Sequence, residues 1–309
     1  MKVVSYLGSV PTKNSNLQKT ELLKKYTKGV NRVGDQGVLH QGHTYVHSDV
    51  GVIQGWVYDN TAPIHLKLRK QVIDNQLARN KFVVCADASL FNYKDKSNPH
   101  GYLRYSFNGV FPTTGIYCDD NIDPARWQSI SKNTGIQLEP MKTKGKWIVM
   151  MLQRQGGWSM NGYDVEQWAM DTVAKIRQHS DRPIVIRAHP GDKRASVYLN
   201  PTKTKLKNLP NVKISPIGRP LQEDLHKAWA VVNHNSSAAV GPIVQGYHCF
   251  ITDPKNSQNK EVSNTDFSTI ESPDMFDRQR WLERISMFHW NFAELENGNC
   301  WRHMRNYCQ

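Results

Sequence analysis

Trp147-Ile-Val-Met-Met-Leu-Gln-Arg-Gln-Gly-Gly-Trp-Ser-Met160, Pro183-Ile-Val-Ile-Arg-Ala-His-Pro-Gly-Asp192 and Ala230-Val-Val-Asn-His-Asn-Ser-Ser-Ala-Ala-Val-Gly241 share one pattern. A short apolar run ends each time in a polar or glycine-rich cluster. Strands buried on both faces of a parallel sheet read as continuous apolar runs. Open α/β sheets bind ligands just beyond the carboxyl ends of such strands. Gly-Gly, His-Pro-Gly and Asn-Ser-Ser at three strand ends predict a site for a phosphorylated ligand.

Working outward, helix Val165–His179, strand Ile184–Ile186, strand Val212–Ile214, helix Leu221–Ala228, helix 237–245 and strand His248–Thr252 complete one alternating unit. A second alternation precedes it. Val3–Gly8 reads as a strand leading into a loop, Leu17–Thr27 as a helix, Val50–Gly55 as a strand, His65–Asn80 as a helix and Lys81–Asp87 as a strand. Pro124–Lys146 reads as an irregular linker. From Phe276 to Tyr307, Trp281, Ile285, Phe288, Phe292 and Trp301 form an apolar stripe suited to packing on a neighbouring surface. The predicted organisation is α/β, with Rossmann-like domains at 1–145 and 146–275 and a helical tail, 276–309, crossing back to the first.

The chain has 309 residues, 39% of them hydrophobic, with nine Trp, enough to build cores. No apolar stretch approaches the roughly 20 residues needed to span a bilayer, and no secretory leader is evident. Five widely spaced cysteines without a CxxC pair predict a reduced, cytoplasmic protein without structural zinc. The net charge is +13. Residues 1–146 hold 20 Lys and Arg against 11 Asp and Glu, an excess of nine. Such a basic region suits a polyanion, nucleic acid first.

The candidate site follows from the strand ends. Paired Gly156 and Gly157 let backbone amides approach a phosphate, and Arg154, beside Gln153, adds a charge-assisted contact. Arg187 and His189 end the next strand, where Pro190-Gly191 fixes the turn. Asn235, Ser236 and Ser237 open a helix, where capping and anion binding are compatible. Asp87, just past a strand, is a candidate general base; capping its own loop is the commoner role for an Asp. Asp119-Asp120 is a second acidic candidate. His40, His43, His47 and Asp49 match no metal template, and no metal is predicted.

Two resemblances sharpen these expectations. The second half resembles GT-B glycosyltransferases, in which two Rossmann-like domains face a central cleft. His189-Pro190 and Ser236-Ser237 look like the HP and SS motifs of bacterial sialyl- and Kdo-type transferases, whose residues contact donor phosphates. The Asp-Asp-Gly motif of that group is matched only by Asp119-Asp120-Asn121, and Gly241 stands where many GT-B enzymes carry a ribose-binding Glu. The whole chain also resembles tailed-phage proteins with Leu-Gln-Arg-x-Gly-Gly-Trp-Ser-Met, Arg-x-His-Pro-Gly-Asp and a tail ending Cys-Trp-Arg-His-Met-Arg. The Asp87 strand, with Leu90-Phe91 after it, is similar to the strand bearing the catalytic Asp in T-even phage base glucosyltransferases.

These resemblances imply a hexosyl- or pentosyltransferase. It would move sugar from UDP-glucose or UDP-arabinose to 5-hydroxymethylcytosine, bare or already glycosylated, in double-stranded phage DNA. Asp87 would be the base. Gln153, Arg154, Gly156, Gly157, Arg187, His189, Asn235, Ser236 and Ser237 would hold the donor, and Trp56, Phe91 and Arg104 the acceptor. The protein would be a monomer in the host cytoplasm, without an obligatory metal and away from membranes. The alternatives are a surface-polysaccharide transferase of Kdo or sialyl type, and a non-catalytic DNA-binding protein on the same scaffold.

Overall fold

The computed structural model describes residues 1–11, 17–58, 63–91, 101–200 and 204–308. The chain divides into two compact units, Met1–Gly135 with Leu282–Gln309, and Ile136–Trp281.

Unit 1 runs β1 (Lys2–Tyr6), α1 (Leu17–Arg32), β2 (Gln36–His40), β3 (Val50–Gln54), α2 (Ile64–Ala78), β4 (Phe82–Asp87), β5 (Leu103–Phe107) and α3 (Pro124–Thr134). Its sheet has the order β11-β5-β4-β3-β1-β2, where β11 is His289–Trp290 from the tail. Strands β1 to β4 pair in parallel, while β5 is antiparallel to both β4 and β11. Strand order reverses between β1 and β3, so the loops after Tyr6 and Gln54 flank the switch point.

Sequence reading overlooks β5 and treats Pro124–Lys146 as irregular. In fact α3 has a complete set of helix signals. The Asp123 side chain accepts the Ala125 amide, Pro124 takes the first turn, and Gly135 closes the helix in the left-handed region at φ 71°.

Unit 2 runs β6 (Trp147–Met151), α4 (Val165–Arg177), β7 (Ile184–Arg187), α5 (Ala195–Tyr198), β8 (Val212–Ile214), α6 (Leu221–Leu225), β9 (Ala228–Asn233), α7 (Val240–Val244) and β10 (His248–Ile251). All five strands are parallel, in the order β10-β9-β6-β7-β8. This is the Rossmann arrangement, and its switch point lies between β6 and β9. Ile148, Met150, Ala230, Val232, Ile184 and Ile186 are fully buried, because helices cover both faces. The predicted helix 237–245 is a 3-10 turn, Ser237–Ala239, followed by the short α7.

The tail holds α8 (Arg278–Ser286), α9 (Phe292–Glu296) and α10 (Asn299–Met304). Phe292, Leu295, Trp301 and Met304 share a core with Leu22, Leu23, Tyr26 and Val30 of α1. The packing is close: a Cβ on Gly29 would stand 1.9 Å from the Leu295 carbonyl oxygen. Lys25 and Lys28 also pair with Glu296. Among the described residues, no helix is long and apolar enough to cross a membrane.

Candidate functional site

The carboxyl edge of unit 2 brings the predicted donor residues onto three adjacent loops, after β6, β7 and β9. Gln153 is buried, and its Nε2 donates to Asn235 Oδ1 at 2.5 Å. Asn235 Nδ2 donates to the Ser159 carbonyl at 3.1 Å and to Asp253 Oδ2 at 2.9 Å. These amides therefore lock the loops together rather than reaching outward. Asp192 forms a second lock. Its Oδ2 accepts the Gln155 amide at 2.9 Å and the Tyr198 hydroxyl at 2.8 Å, and its Oδ1 accepts the Arg194 amide at 2.9 Å. Burial raises the Asp192 pKa, but these bonds outweigh it and hold the carboxyl below its ordinary range.

The glycine loop differs from an open anion nest. The Gln155 amide is taken by Asp192, and the Gly157 amide by the Arg154 carbonyl at 2.9 Å. The amino end of α4 is closed as well: Asp164 Oδ1 accepts the Gln167 amide and Gln155 Oε1 the Val165 amide. Ser236 is spent in the same way, its amide on Asn233 Oδ1 at 2.7 Å and its Oγ on the Ala238 amide at 3.2 Å. Among the described residues, the amides of Gly156 and Ser237 take part in no hydrogen bond.

Side chains add further polar groups. His189 Nδ1 accepts the Gly191 amide at 3.0 Å, so the neutral ring carries its hydrogen on Nε2. Arg154, Lys193 and Arg194 are exposed, and no carboxylate pairs with them among the described residues. Gly156 sits at φ 71°, and a Cβ there would stand 3.6 Å from Arg194 Nη1. Sequence reading passes over Arg194, because only the fold sets it against the glycine loop. Arg187 turns out to serve the interior. Its Nη1 donates to buried Asp224 at 2.5 Å, which also accepts Ser215 Oγ at 2.7 Å, and its Nη2 reaches the Arg219 carbonyl.

A cavity of about 300 Å³ in unit 2 is lined by Lys175, His179, Thr252 and Asp266 among others. None of the predicted donor residues lines it, so it is distinct from the strand-end site.

In unit 1, Asp87 ends β4 and faces Arg104 across the β4–β5 ladder. The two form an ion pair through Asp87 Oδ2. Burial would lower the Arg104 pKa, and the Asp87 carboxylate more than offsets this, leaving the guanidinium above its usual value. The Asp87 side chain is 27% exposed, and among the described residues no hydrogen bond reaches its Oδ1. The predicted stacking residues lie elsewhere. Trp56 is 8% exposed and belongs to a core with Val4 and Leu68, and Phe91 is 5% exposed between Trp127 and His289. Neither ring is an open platform, because each fills the interior beneath its strand end.

Asp119 is held by Arg284 at 2.7 Å and does not act with Asp120 as a free acid pair. Of the suspected metal residues, His40 packs on Tyr6, His47 on Tyr45, and Asp49 pairs with Lys81. Among the described residues, no group of three or more His, Cys, Asp or Glu is arranged to hold a metal.

Two Rossmann-like units in one chain occur in solved transferase structures. The β-Kdo 2,4-transferase of Thermosulfurimonas dismutans KpsC superposes at TM-score 0.53 with 11% identity, covering 93% of this chain and 90% of that one. The fold is GT-B. The β-Kdo 2,7-transferase of the same KpsC matches at TM-score 0.51 with 12% identity, over 97% and 99% of the two chains. No protein-family profile and no curated protein sequence matches the chain.

Proposed function

We propose that the protein is a glycosyltransferase that uses a nucleotide-activated sugar. One observation carries the reading. The three adjacent loops after β6, β7 and β9 of unit 2 carry His189, the Gly156 and Ser237 amides and the exposed cations Arg154, Lys193 and Arg194, while Gln153, Asn235 and Asp192 lock those loops together. Preorganised donors of this kind stabilise charge that develops on a leaving phosphate. In the transfer the acceptor oxygen loses its proton to a base and bonds to the anomeric carbon as the bond from that carbon to the phosphate oxygen breaks, and the charge left on the phosphate is stabilised by the donors of unit 2; in unit 1, Asp87 Oδ1 is the candidate base.

For the acceptor, the glycan hydroxyl of a surface polysaccharide is the first reading. It is supported by the likeness of fold to two Kdo transferases along nearly the full chain, and by the His189-Pro190 and Ser236-Ser237 motifs. Transfer to hydroxymethylcytosine in duplex DNA is the second reading. The excess of nine positive charges in residues 1–146 favours it, but the buried Trp56 and Phe91 give it no stacking surface for a flipped base.

The test is a thermal-shift screen against UDP, CMP, GDP and ADP and their sugars. A nucleotide at a hundred times its Kd stabilises the folded state by about 2.7 kcal/mol. Stabilisation by a uridine nucleotide supports the UDP-glucose or UDP-arabinose donor, and stabilisation by CMP alone supports a sialyl- or Kdo-type donor. Absence of any shift removes the transferase reading. Steep loss of duplex binding with salt would favour the DNA acceptor.

A further inference from the structure

Unit 1 buries a guanidinium that, among the described residues, has no carboxylate against it. Arg69, in the second turn of α2, is 8% exposed. Its Nε donates to the Ser9 carbonyl at 2.8 Å and its Nη2 to Gln54 Oε1 at 3.4 Å. Among the described residues it forms no ion pair. Ser9 lies just beyond β1 and Gln54 ends β3, so Arg69 sits at the switch point of this sheet. Gly55 has φ 80°, and a Cβ there would stand 2.8 Å from Arg69 Nη1. Backbone thus yields space to the guanidinium.

The surroundings are cationic. Lys19 lies in the first turn of α1 and His65 in that of α2. Burial first, and then the charge of Arg69, lowers the pKa of each. His43 Nδ1 lies 2.9 Å from the position of a Cβ on Gly8, beside Ser9. Pro63 opens α2 with no side-chain cap, so the first-turn amides add partial positive charge. Among the described residues, the carboxylate whose field reaches both Arg69 and Lys19 is Asp87, already paired with Arg104. A buried charge without its counter-ion is costly to fold, and an anionic ligand removes that cost.

We propose that the carboxyl edge of unit 1 binds an anionic group of the acceptor, phosphate or carboxylate, on Arg69, with Lys19 and the first turn of α2 around it. The proposal rests on reading unit 1 as the acceptor side, and places an anion beside the hydroxyl that Asp87 deprotonates.

Binding to the full chain is measured calorimetrically with three probes: inorganic phosphate, dimethyl phosphate and gluconate. Tighter binding of dimethyl phosphate identifies a phosphodiester source, and tighter binding of gluconate a sugar-acid source. Arg69→Met is expected to weaken the preferred probe about tenfold or more, as befits loss of a charge-assisted bond. Lys19→Gln should weaken it about threefold, a smaller effect at a less buried charge, and keeps the test valid if Arg69→Met fails to fold. Lys213→Gln, at an exposed charge on β8 of unit 2, should leave it unchanged. Equal binding by wild type and Arg69→Met, loss in Lys213→Gln instead, or no binding of any probe overturns the proposal. Nucleotide stabilisation persists in Arg69→Met if both readings hold; its absence from wild type, with anion binding intact, would count against the transferase alone.

Discussion

Asp87 is tied to two quantities that one set of variants separates. Removing its carboxylate leaves Arg104, 14% exposed, without a counter-ion. Breaking a buried pair costs about 3–5 kcal/mol. The 27% exposure of Asp87 lets solvent screen the pair, so about 2–3 kcal/mol is the appropriate figure for Asp87→Ala. At about 2–4 °C per kcal/mol for a unit of this size, Tm falls by about 4–12 °C. Asp87→Asn keeps an oxygen for Arg104 and loses less stability, but it cannot take a proton from an acceptor. Loss of a general base lowers turnover about 10²–10⁴-fold. The double variant Asp87→Leu, Arg104→Leu replaces the pair by apolar groups and should recover most of the stability, while remaining inactive. The assays are thermal unfolding and nucleotide release from the donor found in the screen. Turnover within about threefold of wild type in Asp87→Asn, a change far below that expected of a lost base, would refute the catalytic assignment. An unchanged Tm in Asp87→Ala would refute the electrostatic one.

Three further outcomes are expected. His289 is buried and neutral, with Nδ1–H donating to the Ile285 carbonyl at 2.7 Å and Nε2 accepting the Leu90 amide at 3.0 Å, and burial pushes its pKa down to about 3. The unfolded chain binds this proton below about pH 6.5, so stability is lost as pH falls from there toward 3; urea unfolding should show about 2 kcal/mol less at pH 5 than at pH 7.5, with a flatter profile in His289→Asn. Gly29→Ala puts a methyl 1.9 Å from the Leu295 carbonyl, so the tail must move off α1; a loss of about 3 kcal/mol is expected in thermal melts, and a Tm unchanged within error would contradict the packing described. His189→Gln, at a half-buried ring, should leave Tm nearly unchanged while weakening nucleotide binding about tenfold; equal nucleotide affinity would remove His189 from the site.

The parts of this fold that a reader of the sequence can find are those whose pattern is set by burial alone. Strands β6, β7, β9 and β10 are near-continuous apolar runs because helices cover both faces of their sheet. Strand β2, Gln-Gly-Val-Leu-His, lies at a sheet edge with no buried residue, and so carries no such pattern. Strand β11 has two residues and exists only through its pairing with β5. Helix α3 is a different failure: its Asp-Pro start and Gly stop are in the sequence, but Trp127 and Ile130 are its only buried residues and give too thin an apolar stripe. Of the candidate site, the placing of three polar or glycine-rich clusters on the loops after β6, β7 and β9 is legible, because each cluster ends an apolar run. Which members face outward is not, since Gln153, Asn235 and Arg187 have the same composition whether they bind a ligand or a neighbouring loop.

The two sheet edges illustrate why residue type alone cannot assign a role. In unit 2 the buried polar groups satisfy one another, Arg187 is paired with Asp224, and Arg154, Lys193 and Arg194 stand exposed. An exposed cation contributes little in salt, so under the proposed function affinity there would come from fixed donors such as His189 and from the geometry imposed by Gly156. In unit 1 Arg69 is buried, where an unbalanced charge is worth several kcal/mol, and among the described residues it has no counter-ion, while Arg104 is paired with Asp87. A site of the first kind can hold a phosphate and release it after the sugar has left, because little desolvation is at stake. A site of the second kind discriminates strongly between a charged and an uncharged ligand, since only the charged one completes the pair.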